Sequence, residues 1–279
     1  MALVLYAYAQ YEIVAVTGGI DVISKVQYIF IAVNRVTNAQ IPVILFTQIF
    51  EQRKHFAGAH SATFTIKNNC PYTIWPATLT GQGQQISTGF ELPSQATTTL
   101  DVAAPWSGRI WPRFVCSNSE GNFTCSSGDC GSGNIACNGA GGTPPATLVE
   151  FTLAAPGGKD FYDVSLVDGF NLPVDVTPQG GSDCNSTSCP VDINAQCPSE
   201  LSVKNTDGGT IGCKSACLAF NQPQYCCTGA YGTPETCPPT DYSKFFKSNC
   251  PHAYSYAYDD RTSTFTCQAG ANYAITICP

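Results

Sequence analysis

The chain has 279 residues, enough to bury a core unaided, and a formal net charge of −7 with only 12% charged residues. From residue 62 onward nine Lys and Arg face seventeen Asp and Glu, an acidic body that argues against nucleic-acid binding and against electrostatic capture by anionic membranes. Sixteen cysteines, all between Cys70 and Cys278, point to a disulfide framework made in an oxidising compartment; with His252 the one histidine in that stretch, no metal or cofactor is expected.

Residues 1–61 do not read as a normal secretory leader. "AGAHS" puts Ala59 and Ser61 at the −3 and −1 positions of a cleavage site before Ala62. However, "EQRKH" (51–55) separates that site from the apolar "IPVILFTQIF" (41–50), and no span of 1–40 is long and apolar enough to cross a bilayer. We read 1–61 as an atypical extension, from an alternative or misjoined first exon or of unknown purpose, and expect it to be poorly ordered and poorly packed.

"ATFTIKNNCPYTIWPATL" (62–79) then alternates apolar and polar residues as half-buried strands do, and "TTTLDVAAPWSGRIWPRFVC" (97–116) repeats the pattern. Residues 116–145 are rich in Gly and carry four cysteines, which predicts a small loop-rich lobe pinned by disulfides. "ATLVEFTLA" and "DFYDVSLV" return to strand patterning around a Pro-Gly-Gly turn. In "IGCKSACLAFNQ" the spacing predicts Cys213 and Cys217 on one helix face. "TDYSKFFKSNC" predicts a second short helix capped by Thr240 or Asp241. The tail "STFTCQAGANYAITICP" predicts a closing hairpin.

One stretch is unusual. Residues 147–170, "TLVEFTLAAPGGKDFYDVSLVDGF", carry Glu150, Asp160, Asp163 and Asp168 in a chain otherwise sparing with charge. A solvated face is the plain reading, and a sugar-binding or hydrolytic cleft the sharper one.

"GNFTCSSGDCGSGNIAC" (121–137), "NNCPYTIWP", "DVSLVDGFNLP", "YCCTGAYGTPETCPPT" and "AYSYAYDDRTSTFTC" together resemble the thaumatin-like, pathogenesis-related family 5 proteins of plants. Within that family they are most similar to the acidic fruit allergens of the rose family. The resemblance covers residues 62–279; Ser127 stands where the family usually has Thr. It implies a mainly β, three-domain fold. Domain I would be a flattened β-sandwich (62–113, 146–190, 251–279), domain II a disulfide-rich helical and loop domain (191–250), and domain III a small disulfide-rich lobe (114–145). It also implies the pairs Cys70–Cys278, Cys116–Cys125, Cys130–Cys137, Cys184–Cys267, Cys189–Cys250, Cys197–Cys213, Cys217–Cys226 and Cys227–Cys237, an order that spacing alone leaves open. Closing the long loop from Cys70 to Cys278 contributes about 4–5 kcal/mol in the chain-entropy picture.

The resemblance further implies a cleft between domains I and II lined by Arg109, Glu150, Asp163, Asp168 and Asp260. Such a set suits sugar. Carboxylates accept hydrogen bonds from vicinal hydroxyls, and Phe161, Tyr162 and Phe170 are nearby aromatics, although alternation keeps some of them out of the cleft. Arg109 is expected to hold the acids ionised, while crowding raises at least one carboxyl pKa. In a hydrolase Glu150 would be the proton donor and Asp168 the nucleophile or water-activating base, with the carboxyl separation deciding the stereochemistry.

Plainer roles stand beside these. Asp163 and Asp168 would cap turns, Arg109 would serve a structural ion pair, and Asp260 would be drawn off by Arg261. Asp160 is read as a solvated turn residue. His252 in its "CPHAY" turn makes no triad, and "GDCGSG" is too bracketed by disulfides for a phosphate. Asn122 and Asn185 head glycosylation sequons.

The function expected is that of a secreted, antifungal plant defence protein, a monomer of the extracellular space, binding β-1,3-glucan or another fungal cell-wall polysaccharide. A weak endo-β-1,3-glucanase and a binder of a microbial protein through domain II loops are the alternatives. The ending "ITICP" favours the apoplast over the vacuole, and the acidic body argues against the sweet taste of the family's basic namesake.

Overall fold

The computed structural model describes residues 61–279 and, upstream, two strands, β1 (Leu5–Ile13) and β2 (Ser24–Ala32). These pair antiparallel, from Leu5 opposite Ala32 to Ile13 opposite Ser24. The residues just before the candidate cleavage site, 51–60, and most of the extension lie outside the described residues. The chain divides into two compact units, Met1–Gly58 and Ala59–Pro279; the second carries everything that follows.

Its strands are β3 (Ser61–Asn68), β4 (Ala77–Gln82), β5 (Thr97–Ala103), β6 (Trp106–Trp111), β7 (Phe114–Ser119), β8 (Asn122–Ser127), β9 (Leu148–Leu153), β10 (Lys159–Ser165), β11 (Val174–Gln179), β12 (Thr187–Cys189), β13 (Ser202–Lys204), β14 (Thr210–Cys213), β15 (Phe265–Gln268) and β16 (Asn272–Ile277). One five-stranded sheet runs β15-β10-β9-β6-β4 and is antiparallel throughout. The other runs β12-β11-β16-β3-β5, with one parallel pair, β16 with β3. The fold is mainly β, as the strand patterning predicts, with the two-sheet core that the family resemblance implies.

Alternation builds that core. In β3, Ala62, Phe64, Ile66 and Asn68 point inward. Phe64 stacks on Phe151 of β9 at 4.5 Å between ring centroids and meets Trp106 of β6 and Tyr273 of β16 edge-on at 5.9 and 6.0 Å. Tyr273 also lies against Phe151 and Tyr162, so this cluster joins the two sheets through large rings that are withdrawn from water.

Three expectations are corrected. Cys213 is not helical: it ends β14, exchanging two 2.8 Å backbone hydrogen bonds with Phe170. The helix α1 (Ala216–Phe220) begins only after Ser215, whose side chain caps it. The tail is not a hairpin, because β15 joins the first sheet and β16 the second, and the connection at Gly270, φ +105°, carries the chain across the sandwich. Asp160 is not solvated. It is 2% exposed and accepts from Ala154 N–H at 2.8 Å and from the Tyr273 hydroxyl at 2.9 Å.

Around the sandwich, short elements hold the loops. β7 and β8 form the lobe hairpin, and the buried Arg113 anchors it, donating to the carbonyls of Trp75 and Ile135 and lying 5.5 Å over the Phe123 ring. Beyond α1 come α2 (Pro223–Cys226), α3 (Asp241–Asn249) and α4 (Asp260–Ser263). Thr240 and Ser243 form a reciprocal capping box on α3. The eight disulfides join Cys70 to Cys278, Cys116 to Cys125, Cys130 to Cys137, Cys184 to Cys267, Cys189 to Cys250, Cys197 to Cys213, Cys217 to Cys226 and Cys227 to Cys237.

The Asp160 contact is testable. Asp160→Ala leaves two inward-facing donors without an acceptor and should cost about 3 kcal/mol. Asp160→Asn, which keeps one acceptor, should lose less than half of that. Guanidinium unfolding with the disulfides intact measures both; equal losses would remove the hydrogen bonds as the cause.

Candidate functional site: an acid row on the outer sheet

The first sheet buries Phe151 and Tyr162 against the other sheet, so their neighbours Glu150 and Asp163 must point outward. The register then aligns them. Arg109 of β6 lies directly opposite Glu150 of β9, and Glu150 lies directly opposite Asp163 of β10. Leu79 of β4 sits opposite Arg109 and extends the row by one strand. Directly opposed side chains share a face, with Cβ atoms roughly 4.5–5.5 Å apart. The row lines an open groove of about 440 Å³ that also takes Gly81, Ser107, Thr152 and Phe161. No residue of 191–250 lines it.

The aromatics separate by parity. Tyr162 and Phe170 are buried, whereas Phe161 is 46% exposed on the groove face. Asp168 comes in from the loop after β10, placing Oδ2 3.9 Å from Arg109 Nη1, with both side chains more than a third exposed. An ion pair so long and so wet contributes about 0–1 kcal/mol. Its backbone is fixed instead, since Ala146 N–H donates to Asp168 O at 2.9 Å. The next residue, Gly169, has φ +79° and packs against Cys213 O and Pro145, where no side chain fits. Asp260 opens α4 and accepts from the Tyr254 hydroxyl at 2.9 Å. It makes no ion pair with Arg261 among the described residues.

Neither Asp163 nor Asp168 caps a backbone N–H; Asp163 Oδ1 is buried with no partner at all. Burial, the Glu150 charge and the Asp260 charge, in that order, push the Asp163 pKa up to about 8. Burial also raises Glu150, against the lowering effect of Arg109 and with a further push from Asp168. At Glu150 desolvation outweighs the Arg109 cation in setting the direction of the shift. With its pKa pushed up to about 8, Asp163 holds a proton at neutral pH and can donate as well as accept hydrogen bonds.

Two neighbours were not singled out from the sequence. Asp259 accepts from Ser255 N–H and Oγ–H and pairs with Lys247 at 2.9 Å, whereas Asp260 turns to Tyr254; of the five expected cleft residues, Arg109, Glu150 and Asp163 line the groove and Asp168 and Asp260 do not. Tyr254 holds Asp260. The tyrosine alternation in "AYSYAYDD" was the available signal. Asn122 and Asn185 are both exposed. Asn122 opens β8, and Asn185 lies just before β12, its carbonyl accepting from the buried Tyr162 hydroxyl at 2.6 Å. His252 lies edge-on to Phe265.

Among the described residues no helix is long and apolar enough to cross a membrane. The Thaumatin family model matches residues 68–279. The chain is 69% identical over 227 residues to "Thaumatin-like protein 1" of Pyrus pyrifolia, covering 80% of this chain and 93% of that protein. It is 60% identical over 228 residues to "Glucan endo-1,3-beta-glucosidase" of Prunus avium, with the same coverage. To "Pathogenesis-related protein 5" of Arabidopsis thaliana it is 57% identical over 219 residues, covering 77% and 90%.

The proton on Asp163 should be visible in stability. Its ordinary value is 3.8 and its folded value about 8. Between these the folded state holds more protons than the unfolded state, so stability falls as pH rises through that window. Asp163→Asn removes the titration. Its guanidinium midpoint should fall less steeply between pH 4 and 8 than the parent's, with an advantage of about 1–3 kcal/mol at pH 8. Parallel curves for the two proteins would show that Asp163 titrates normally.

Proposed function

The chain belongs to the thaumatin family, and on that premise we propose that it is a secreted, monomeric plant defence protein that binds fungal β-1,3-glucan along the outer-sheet groove. The observation that carries this reading is the cross-strand row Arg109–Glu150–Asp163, flanked by the exposed ring of Phe161. Sugar hydroxyls both donate and accept, and the row offers both partners. Carboxyl oxygens accept, while Asp163 and the Arg109 guanidinium donate. The ring of Phe161 supplies an apolar surface for a pyranose face. Eight disulfides fit an oxidising, extracellular setting.

A second reading has one observation in its favour. A general acid must hold its proton near the working pH, and burial raises both Glu150 and Asp163. Slow endo-hydrolysis would use one of these as donor, Glu150 being the first choice, with Asp168 as nucleophile or base. The Prunus avium relative carries the name of such an enzyme.

Incubating the disulfide-intact chain with laminarin, a soluble β-1,3-glucan, while following both pull-down and new reducing ends separates these readings. Binding is expected. Glu150→Ala should weaken it about tenfold, the value of one charge-assisted hydrogen bond. Reducing ends that vanish in Glu150→Gln while binding persists would establish the hydrolase. Absence of binding would overturn the glucan reading and move the search to protein partners.

A further inference from the structure

The polypeptide after Cys250 runs beside the end of β10. Tyr254 N–H donates to Val164 O, and Leu166 N–H donates to Tyr254 O, both at 2.8 Å; Ser165 and Tyr254 form a parallel bridge. Bridge partners share a face, and Ser165 shares its face with Asp163 two residues earlier. Tyr254 therefore stands on the groove side, at the end of the row opposite to Arg109. Its hydroxyl donates to Asp260 Oδ1 at 2.9 Å. That commits its one proton, so the Thr264 hydroxyl donates to the phenol oxygen. Thr264 and Asp260 belong to one turn, closed by Thr264 N–H to Asp260 O at 3.2 Å. Two hydroxyls thus line up on a single carboxylate.

We propose that Tyr254 is a positioning residue of the groove: its hydroxyl fixes the Asp260 carboxylate at the Asp163 end of the acid row, and through it helps Asp163 keep the proton that it donates to a glucan. The inference rests on the reading of the groove as a glucan site. Asp260 is exposed and has no other side-chain partner among the described residues, so without the phenol its carboxylate is free to swing into solvent. The groups acting on Asp163 come from three sides: Glu150 on β9, with Arg109 behind it on β6, Asp260 on α4, and Tyr254 itself. Moving Asp260 away removes one negative neighbour from Asp163, which then loses its proton at lower pH. Asp163 stops donating, and the groove carries one more charge beside Glu150. The effect passes through Asp260 and does not require Tyr254 to touch the ligand.

The test compares the full chain with Tyr254→Phe. Carboxyl-carbon NMR follows the titration of Asp163 without ligand, and laminarin affinity is measured from pH 5 to 9. In the parent, affinity should fall as Asp163 ionises. In Tyr254→Phe both midpoints should move down together by about one pH unit, with the thermal midpoint at pH 5 unchanged. Asp260→Asn should give the same downward shift with the phenol still in place, and it serves if Tyr254→Phe folds poorly. An unmoved Asp163 titration in a folded Tyr254→Phe protein overturns the inference and leaves the glucan reading intact. A parent that never binds laminarin overturns the glucan reading, while the NMR shift still decides whether Tyr254 governs Asp163.

Discussion

Phe64 on Phe151, with Tyr273, Tyr162 and Trp106 around them, is the contact on which the groove depends. These rings come from both sheets, and their burial fixes the inward set of β6, β9 and β10. Because side chains alternate with a period of two, the outward set follows without further instruction. Burying Phe151 presents Glu150, and burying Tyr162 presents both Phe161 and Asp163. A slip of one residue in β9 would bury a carboxylate beside Phe64 and expose an aromatic ring. The core therefore specifies the groove at its back, and a charged residue flanked by apolar neighbours in "TLVEFTL" is what such a strand must look like.

The acids outside the strands are held by different means. Asp168 depends on a backbone hydrogen bond and on a glycine that lets its loop pass close to Cys213 and Pro145. Asp260 depends on the split between two adjacent acids. Asp259 turns inward to Lys247 and Ser255, which sets the turn, and Asp260 turns outward to Tyr254. Equal side chains one residue apart thus take unlike roles because the turn sends them in opposite directions.

Much of this was legible in the sequence. Strand alternation gave β3, β6, β9 and β10, and cysteine content gave a disulfide framework, though its pairing came with the family resemblance and not from spacing. The failures share a cause. Asp160 looked like a turn residue because its neighbours are Gly and Lys, yet its partners, Tyr273 and Ala154, come from a distant strand and the far side of a hairpin. The helical spacing of Cys213 and Cys217 was cut by Ser215, and β15 and β16 looked like a hairpin because nothing local says that they join different sheets. Local pattern reports which face a residue takes; it does not report which strand lies opposite. The direct alignment of Arg109, Glu150 and Asp163 is such a non-local fact.

The groove and the disulfides belong to one argument. A carboxyl held at a pKa of about 8 is destabilising whenever it ionises, and an unpartnered Oδ1 adds to the strain. A site of this kind persists only where the remaining structure has stability in reserve. Here the reserve lies in the unfolded chain, which Cys70–Cys278, Cys184–Cys267 and Cys189–Cys250 constrain across 208, 83 and 61 residues. That contribution does not depend on the groove-facing residues, so their chemistry can be set for a ligand instead of for packing. Two of these cross-links, at Cys250 and Cys267, also bracket the turn that carries Asp260, whereas Asp168 keeps its place through the Ala146 hydrogen bond, a constraint that its long ion pair with Arg109 would not supply.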